Sequence, residues 1–395
     1  MIAVLPRRGL FALPFSKKSF LIALLLLPSI LMWLYHLVPA VRDGLFQPVN
    51  SSSPPSNPAH EDHQNEPQSI DLASYPYDVQ SNLSVNLVIA TTTSDDISWA
   101  SHLRIPNLNI IRYVSDDPTA PYHPPIAKGR EALMYHTYLY DFYDSLPDIS
   151  ILIHAHESPW HTDPELWSSM MFTLSNLDLD AVVERGYANL RVSWYQACPD
   201  WVNTTKTPEE SVKQEEPWMA AAFRANFGDD IEVPEILAGP CCSQFAVTRE
   251  AVHRRDRDMY AHAMAWLMET DWSDYIVGRT WEHMWSWLFK HEPTDCPVEW
   301  KTFCRMYGVC FEGMDDMTEF RTLWKERKNL IEMRGFWLEL WDPQRAAKER
   351  VRIRELDVEL DKRLRRAMER GREEKAAGQK RLGDLYIDDT PLLFR

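Results

Sequence analysis

The chain has no excess of positive charge and none of the short motifs that identify several common enzyme classes. Its 395 residues include 42 Lys and Arg against 58 Asp and Glu, for a formal net charge of -16. Because binding to a phosphate backbone needs a basic surface, we expect no nucleic acid partner. The sequence contains no P-loop, no dinucleotide-binding fingerprint and no nucleophile elbow. The composition, 45% hydrophobic and 25% charged, is typical of a globular protein.

A long apolar run lies near the N-terminus. Residues 19–39 read SFLIALLLLPSILMWLYHLVP, and four basic residues precede them. A run of about 20 apolar residues is long enough to cross a bilayer as a helix, and the basic flank should stay cytoplasmic. We therefore predict a cytoplasmic tail (1–18) and a transmembrane signal anchor (19–39) of a single-pass type II membrane protein. A signal peptide cleaved after VPA (38–40) is the alternative.

Residues 40–84 are dominated by Pro, Ser, Asn and Gln, which predicts a disordered stem. Two further features favour a body that lies in the lumen or outside the cell. Glycosylation acceptor sequons occur at Asn50, Asn82 and Asn203. The even number of cysteines predicts disulfides in an oxidising compartment and leaves the pairing open. They are Cys198, Cys241, Cys242, Cys296, Cys304 and Cys310. No paired C-x-x-C is present, which argues against zinc.

Strand-like and helix-like segments alternate from residue 85 onward. Strands are predicted at 85–93, 108–117, 149–154 and 186–194, the first and third of them buried, with helical patterns between them. This alternation predicts an α/β domain over residues 85–310, with a mixed, mainly parallel sheet flanked by helices. Residues 311–395 form a charged helical extension, in which 344–378 reads as a solvated helix with one narrow apolar stripe.

The stretch ISILIHAHESPWH (149–161) ends a predicted strand in a group of polar side chains. His154 and His156 are two residues apart, so they share one face of the strand. Glu157 and His161 follow in the loop. We predict that His154, His156 and Glu157 hold a divalent metal, Mn²⁺ or another ion. The alternative is a pair of structural histidines.

Ligands of open α/β sheets bind outside the carboxyl ends of the strands. Asp116 and Asp117 end the second predicted strand, so they would face the same crevice as His154 to Glu157. The sequence SDDP is also good turn chemistry, which is the competing interpretation.

Two further groups of residues are candidates for the same site. Lys128 and Arg130 open a predicted helix, where a phosphate is favoured, although Glu131 there could simply act as a cap. Glu282 lies among aromatic residues and is our candidate general base. Its alternative role is a structural ion pair with Arg279.

Five segments together resemble a mainly fungal family, domain-of-unknown-function family 3431 (DUF3431). They are KGREALMYHTYLYDFYDSLPD, ILIHAHESPWH, GYANLRV, CCSQFAVTRE and GRTWEHMWSWLFK. This resemblance covers roughly residues 85–310 and implies no catalytic residues.

The order of elements is more distantly similar to nucleotide-sugar glycosyltransferases of the GT-A type. That similarity implies a GT-A-like fold, a metal and a diphosphate at the strand ending in ILIHAHE, and a catalytic carboxylate on the helix of GRTWEH. With such a fold, the residues that would bind the nucleotide sugar are Asp116, Asp117, Lys128 and Arg130. In this sequence His154-Ala155-His156 stands where the Asp-x-Asp motif of those enzymes would be.

We therefore expect a lumenal glycosyltransferase-like domain that uses a nucleotide sugar and a glycan acceptor. The protein would be anchored in the membrane of the Golgi or another secretory compartment, or at the cell surface. Two alternatives stay open. One is a non-catalytic module that binds a glycan or a protein, and the other is a metal-dependent hydrolase.

Overall fold

The computed structural model describes residues 81–195, 197–199, 201–333, 342–378 and 384–386. The predicted tail and signal anchor, most of the stem and the Asn50 sequon lie outside the described residues. Within the described part of the chain, no helix is long and apolar enough to cross a membrane.

A five-stranded sheet forms the centre of the fold, and a two-stranded sheet lies apart from it. The strands are β1 (Val85–Thr91), β2 (Leu108–Val114), β3 (Ile149–His154), β4 (Tyr187–Asn189), β5 (Val202–Asn203), β6 (Ile236–Leu237) and β7 (Phe245–Thr248). In the larger sheet the order is β2-β1-β3-β7-β4, in which β1 is parallel to β2 and β3. Strand β7 runs antiparallel to both of its neighbours. The predicted mixed, mainly parallel α/β sheet is confirmed.

Helices and short 3₁₀ turns cover the sheet. The helices are α1 (Arg130–Asp141), α2 (Met170–Ser175), α3 (Leu179–Arg185), α4 (Met219–Phe227), α5 (Arg249–Val252), α6 (Arg257–Glu269), α7 (Asp274–Glu282), α8 (Trp285–Lys290), α9 (Glu299–Tyr307), α10 (Met314–Met333) and α11 (Pro343–Ala376). The 3₁₀ turns are Ser98–His102, Tyr143–Ser145, Pro164–Leu166 and Glu216–Trp218.

Strands β1 and β3 are buried on both faces, because apolar side chains occur at successive positions. Leu87 and Ile151 join a hydrophobic cluster on one side of the sheet, whereas Val88 and Leu152 join a second cluster on the other side. Helix α1 supplies much of the second cluster.

Two predicted elements are shorter than the sequence suggested. The helical pattern of DPELWSSMMFTLSNL is interrupted where Trp167 and Ser168 adopt φ of 60° and 50°, so a 3₁₀ turn precedes the short α2. Non-glycine residues rarely adopt this left-handed region, and hydrophobic periodicity does not reveal it. The predicted strand at 186–194 pairs only over β4, because the chain turns away after Asn189.

The charged helix α11 packs on the body along its apolar stripe. Its buried side chains include Ile353, Leu356, Leu360, Leu364 and Met368. The last three join the same cluster as Leu87 and Ile151 of the sheet.

The predicted disulfides are present. Cys198 pairs with Cys296, Cys241 with the adjacent Cys242, and Cys304 with Cys310.

Candidate functional site

The chain reverses direction across the sheet between β1 and β3. From β1 it crosses to β2 on one side, and then returns to place β3 on the other side of β1. Such a switch point opens a crevice outside the carboxyl ends of the two strands. A cavity of about 510 Å³ lies there, bordered by Thr91 and Thr92 after β1 and by His154 and His156 at the end of β3. The topology therefore creates this cavity.

Three carboxylate residues line the cavity: Asp95 after β1, Glu131 and Glu282. Glu282 lies at the last turn of α7, where burial, together with the nearby negative charge of Glu131, raises its pKa to about 8. Glu131 lies in the first turn of α1, and burial raises its pKa as well. The hydroxyl of Ser243 donates a hydrogen bond to the Glu131 carboxylate. A carboxyl group whose pKa lies near neutrality can accept or donate a proton at physiological pH.

Two arginines line the same cavity. The guanidinium groups of Arg130 and Arg279 lie 5.2 Å and 5.3 Å from the centroid of the same ring, that of Tyr275. The backbone of Arg130 has a φ of 53°, directly after Gly129 at 70°. Within the described residues, the Arg130 guanidinium makes no hydrogen bond or salt bridge. The left-handed backbone of a non-glycine residue such as Arg130 costs about 1–3 kcal/mol, and such strain is common at functional sites.

Arg279 is fixed by a buried partner. Its Nη2 lies 2.7 Å from Oε1 of Glu215, which also lies 3.3 Å from Nε2 of His283. Burial raises the pKa of Glu215, but the hydrogen bonds from His283 and Arg279 outweigh it and hold that pKa well below its usual range. The alternative expected for Glu282, an ion pair with Arg279, does not form, because Arg279 pairs with Glu215. Glu282 is consequently left without a salt bridge in the described part of the chain.

His154, at the end of β3, and His161, in the loop after it, are uncharged at neutral pH. Burial lowers the pKa of His154 to about 4 and that of His161 to about 3. Their ring centroids lie 5.0 Å apart, and Nε2 of His154 lies 4.0 Å from the Glu131 carboxylate. His156 is exposed at the same cavity.

The third predicted metal ligand does not border the cavity. The carboxylate of Glu157 accepts hydrogen bonds from the hydroxyls of Ser158 and Ser169. In the described ranges, no group of three or more His, Cys, Asp or Glu side chains lies close enough to hold a metal ion.

The predicted aspartates stabilise turns outside the cavity lining. Asp116 accepts hydrogen bonds from the backbone N–H and the hydroxyl of Thr93, at 2.7 Å and 2.9 Å. Asp117 accepts hydrogen bonds from the backbone N–H and the hydroxyl of Thr119, at 2.9 Å and 2.6 Å. These hydrogen bonds lower the pKa of both carboxyl groups.

Lys128 also lies outside the cavity lining. Its ammonium group donates to the backbone carbonyls of Met268 and Thr270, at and after the end of α6. It therefore joins the start of α1 to the end of α6, whereas Arg130, two residues later, reaches the cavity.

The disulfide between Cys241 and Cys242 forms part of the cavity wall. Cys242 and Ser243 both have positive φ, 89° and 44°. The Ser243 hydroxyl accepts a hydrogen bond from the indole N–H of Trp285 at 3.0 Å, so the turn places Ser243 beside Glu131. Sequence analysis assigned these cysteines to disulfides and gave no indication that they border the site.

Two tryptophans border the cavity and were not predicted to do so. Trp160 follows β3 with 77% of its surface exposed, and Trp201 lies beneath the ammonium group of Lys213. Its neighbour His161, in the sequence SPWH, was the only sequence signal for Trp160.

Of the sequons, Asn82 is exposed. Asn203 is half-buried, and its amide nitrogen donates to Glu235 at 3.3 Å.

Comparison with known proteins relates the chain to one family. No curated protein and no solved structure matches it. A family model described as "Protein of unknown function (DUF3431)" matches residues 87–305, which is more than half of the chain and includes every residue of the cavity lining. The chain therefore belongs to the DUF3431 family.

Proposed function

We propose that the cavity is the active site of a glycosyltransferase that takes its sugar from a nucleotide sugar. The observation that carries the proposal is Glu282, a carboxyl group with a pKa of about 8, in a switch-point cavity that also contains two arginines. Such a cavity is the expected ligand site of an open α/β sheet. The similarity of the element order to GT-A transferases supports the same assignment.

In the proposed reaction, Glu282 takes the proton from an acceptor hydroxyl. The acceptor oxygen forms a bond to the anomeric carbon, the bond from that carbon to the diphosphate oxygen breaks, and the electron pair leaves with the nucleoside diphosphate. Arg130 and Arg279 would stabilise the negative charge of this leaving group. A base with a pKa near the working pH balances its ionised fraction against its basicity.

The predicted metal is not used in this scheme. His154 and His156 border the cavity, but the carboxylate of Glu157 is held by two serines outside the lining. These three side chains do not form a ligand set in this arrangement, so no step is assigned to a metal. Assays with and without Mn²⁺ test the prediction directly.

The proposal includes a membrane-anchored, lumenal location. Three disulfides suit an oxidising compartment, and an exposed sequon at Asn82 is open to modification there. Glycosidase sensitivity and protease protection of the protein in sealed vesicles test this location. Cleavage of the body in intact vesicles would contradict it.

Turnover of nucleotide sugars tests the function. The full chain is incubated with UDP- and GDP-sugars and mixed glycosides, and release of nucleoside diphosphate is measured. We expect turnover with one donor, and a loss of about 100-fold or more in kcat for Glu282→Gln. Glu232→Gln, which changes an exposed carboxylate, is the matched control. Equal turnover in both variants contradicts the role of Glu282; binding without turnover favours the non-catalytic module.

A further inference from the structure

Besides its carboxylates and arginines, the cavity has an uncharged group of side chains. His154, Trp160 and His161 come from the end of β3 and the loop after it, and all three line the cavity. The arginines come from α1 and α7 instead. One cavity thus offers cations for an anionic ligand and an aromatic, neutral surface for a different ligand.

Trp160 offers an unoccupied aromatic face. Its side chain is 77% exposed, the second most exposed large hydrophobic residue among those described. The His161 ring lies perpendicular to it, with centroids 5.2 Å apart, and no described ring lies flat on the indole. An exposed indole at a cavity mouth combines a large apolar face with an N–H donor, as ligand-stacking surfaces require.

The histidines beside Trp160 have spare hydrogen-bonding capacity. Nε2 of His154 is buried and makes no hydrogen bond. His161 is only 6% exposed, the Gln244 side chain lies near its ring, and neither ring nitrogen makes a hydrogen bond of good geometry within the described residues. A neutral imidazole has one donor and one acceptor nitrogen, which matches a hydroxyl group better than it matches an ion. Buried polar atoms of this kind need a partner when water is displaced.

We infer that Trp160, with His154 and His161, forms a subsite for a neutral sugar ring, the acceptor of the transfer. A pyranose ring has an apolar face of C–H groups and an edge of hydroxyls. The face would lie on the Trp160 indole, and hydroxyls would bond to the two imidazoles. The identification of this sugar as the acceptor rests on the proposed function; the binding of a neutral ring does not.

Saturation-transfer NMR on the full chain tests the subsite without a nucleotide. The probes are methyl glycosides of glucose, galactose and mannose at millimolar concentration, with uridine and guanosine as competing flat rings. We expect saturation of the C–H groups of at least one glycoside. That signal should fall at least fivefold in Trp160→Ala and be largely kept in Trp160→Phe, which retains an aromatic face.

The control is Tyr195→Ala, which removes another exposed aromatic side chain, 68% exposed, that does not line the cavity. Its glycoside signal should equal that of the unchanged protein. Equal signals in Trp160→Ala and the unchanged protein would overturn the inference. So would a lack of any glycoside signal, or saturation of the nucleosides alone through Trp160.

The NMR test of the sugar subsite and the turnover test of the transferase can fail independently of each other. If glycosides bind through Trp160 but no nucleotide sugar binds or reacts, the transferase proposal fails and the sugar subsite stands. If nucleotide sugars react and no glycoside depends on Trp160, the subsite fails and the transferase proposal stands.

Discussion

Glu282 is held in its neutral form over much of the physiological pH range, because burial and the neighbouring Glu131 raise its pKa to about 8. The unfolded chain releases this proton near the ordinary value of 4.5. Between these two pH values the folded state binds more protons than the unfolded state. The free energy of unfolding therefore falls as pH rises from about 4.5 to about 8.

Replacing Glu282 with Gln should remove that part of the pH dependence. We expect Glu282→Gln to gain stability relative to the unchanged protein between pH 5 and pH 8, by at most about 1.4 kcal/mol per pH unit. Urea unfolding at pH 5 and at pH 8 measures this gain in stability, with Glu232→Gln as the control. Parallel pH profiles for all three proteins would show that Glu282 is not held in its neutral form.

Glu215 has the opposite effect on the pH dependence of the free energy of unfolding. Its folded pKa lies below the ordinary value, so its contribution is present above about pH 4.5 and is lost as pH falls further. Glu215→Ala leaves Arg279 and His283 without their carboxylate, and should destabilise the protein at pH 7 by about 3 kcal/mol. The exposed Glu209→Ala is the control. A loss of less than about 0.5 kcal/mol in urea unfolding at pH 7 would contradict the importance of this ion pair.

At the residue scale, some of the candidates chosen from the sequence line the cavity and others do not. Glu282, Arg130, His154 and His156 line the cavity because each belongs to an element that ends or begins at the same sheet edge. Lys128 does not, because carbonyls distant in sequence at the end of α6 take its ammonium group. Sequence spacing contains no information about such a partner.

Helix α10 (Met314–Met333) packs on the body through Met317 and Phe320, and a partly buried arginine adds an ionic contact. Arg321 contacts the carboxylate of Glu165, which is 0% exposed, and its Nη2 lies 2.9 Å from Glu299. Burial and the negative charge of Asp163 raise the pKa of Glu165 to about 7, although Arg321 lowers it. Removing the cation would leave the buried Glu165 carboxylate without its ionic partner.

Arg321→Ala should therefore destabilise the protein by about 3–5 kcal/mol. The control is Arg352→Ala, since Arg352 pairs with Glu326 at 2.7 Å but both side chains are more than 40% exposed. An exposed pair contributes about 0–1 kcal/mol. Guanidinium unfolding of both variants at pH 7 measures the difference. Equal losses would contradict the assignment of Arg321 as a residue that anchors α10.

Helix α11 (Pro343–Ala376) crosses the end of α9 at Gly371. A Cβ at this position would overlap the backbone carbonyl of Gly308, so the crossing requires glycine. In an unhindered helix, Gly→Ala stabilises by about 1 kcal/mol. We expect Gly371→Ala to destabilise instead, by about 2 kcal/mol or more, as α11 moves away.

Thermal unfolding of Gly371→Ala gives the sign, and Gly313→Ala is the control because a Cβ at Gly313 meets nothing within 4 Å. A Gly371→Ala protein more stable than the unchanged one would exclude the close crossing.

The apolar stripe of α11 was visible in the sequence, and helical periodicity predicts such a stripe well. The surface on which the stripe packs was not visible, because the cluster that it joins includes side chains of β1 and β3, more than 200 positions earlier in the chain. The break at Trp167 was missed for a related reason: left-handed backbone at a tryptophan depends on its tertiary contacts.

At the scale of the whole molecule, two disulfides close loops of very different length. Cys198 and Cys296 are 98 residues apart, whereas Cys304 and Cys310 are 6 apart. The entropic model predicts a stabilisation of about 4.7 kcal/mol for a loop near 100 residues, and about 2 kcal/mol for the short one. Cys198→Ala/Cys296→Ala should therefore lower the unfolding free energy more than Cys304→Ala/Cys310→Ala. The reverse order in urea unfolding would contradict this.

The central claim is that the switch-point cavity binds a nucleoside diphosphate through Arg130. The most direct measurement is thermal unfolding of the full chain with UDP and GDP, with and without Mn²⁺. It compares the unchanged protein with Arg130→Ala and with Arg104→Ala, which removes an exposed arginine outside the cavity lining.

A ligand at 100 times its Kd stabilises the folded state by about 2.7 kcal/mol. We predict a higher Tm with one of the two nucleotides, lost in Arg130→Ala and kept in Arg104→Ala. No shift with either nucleotide, or an equal shift in both variants, would contradict the account.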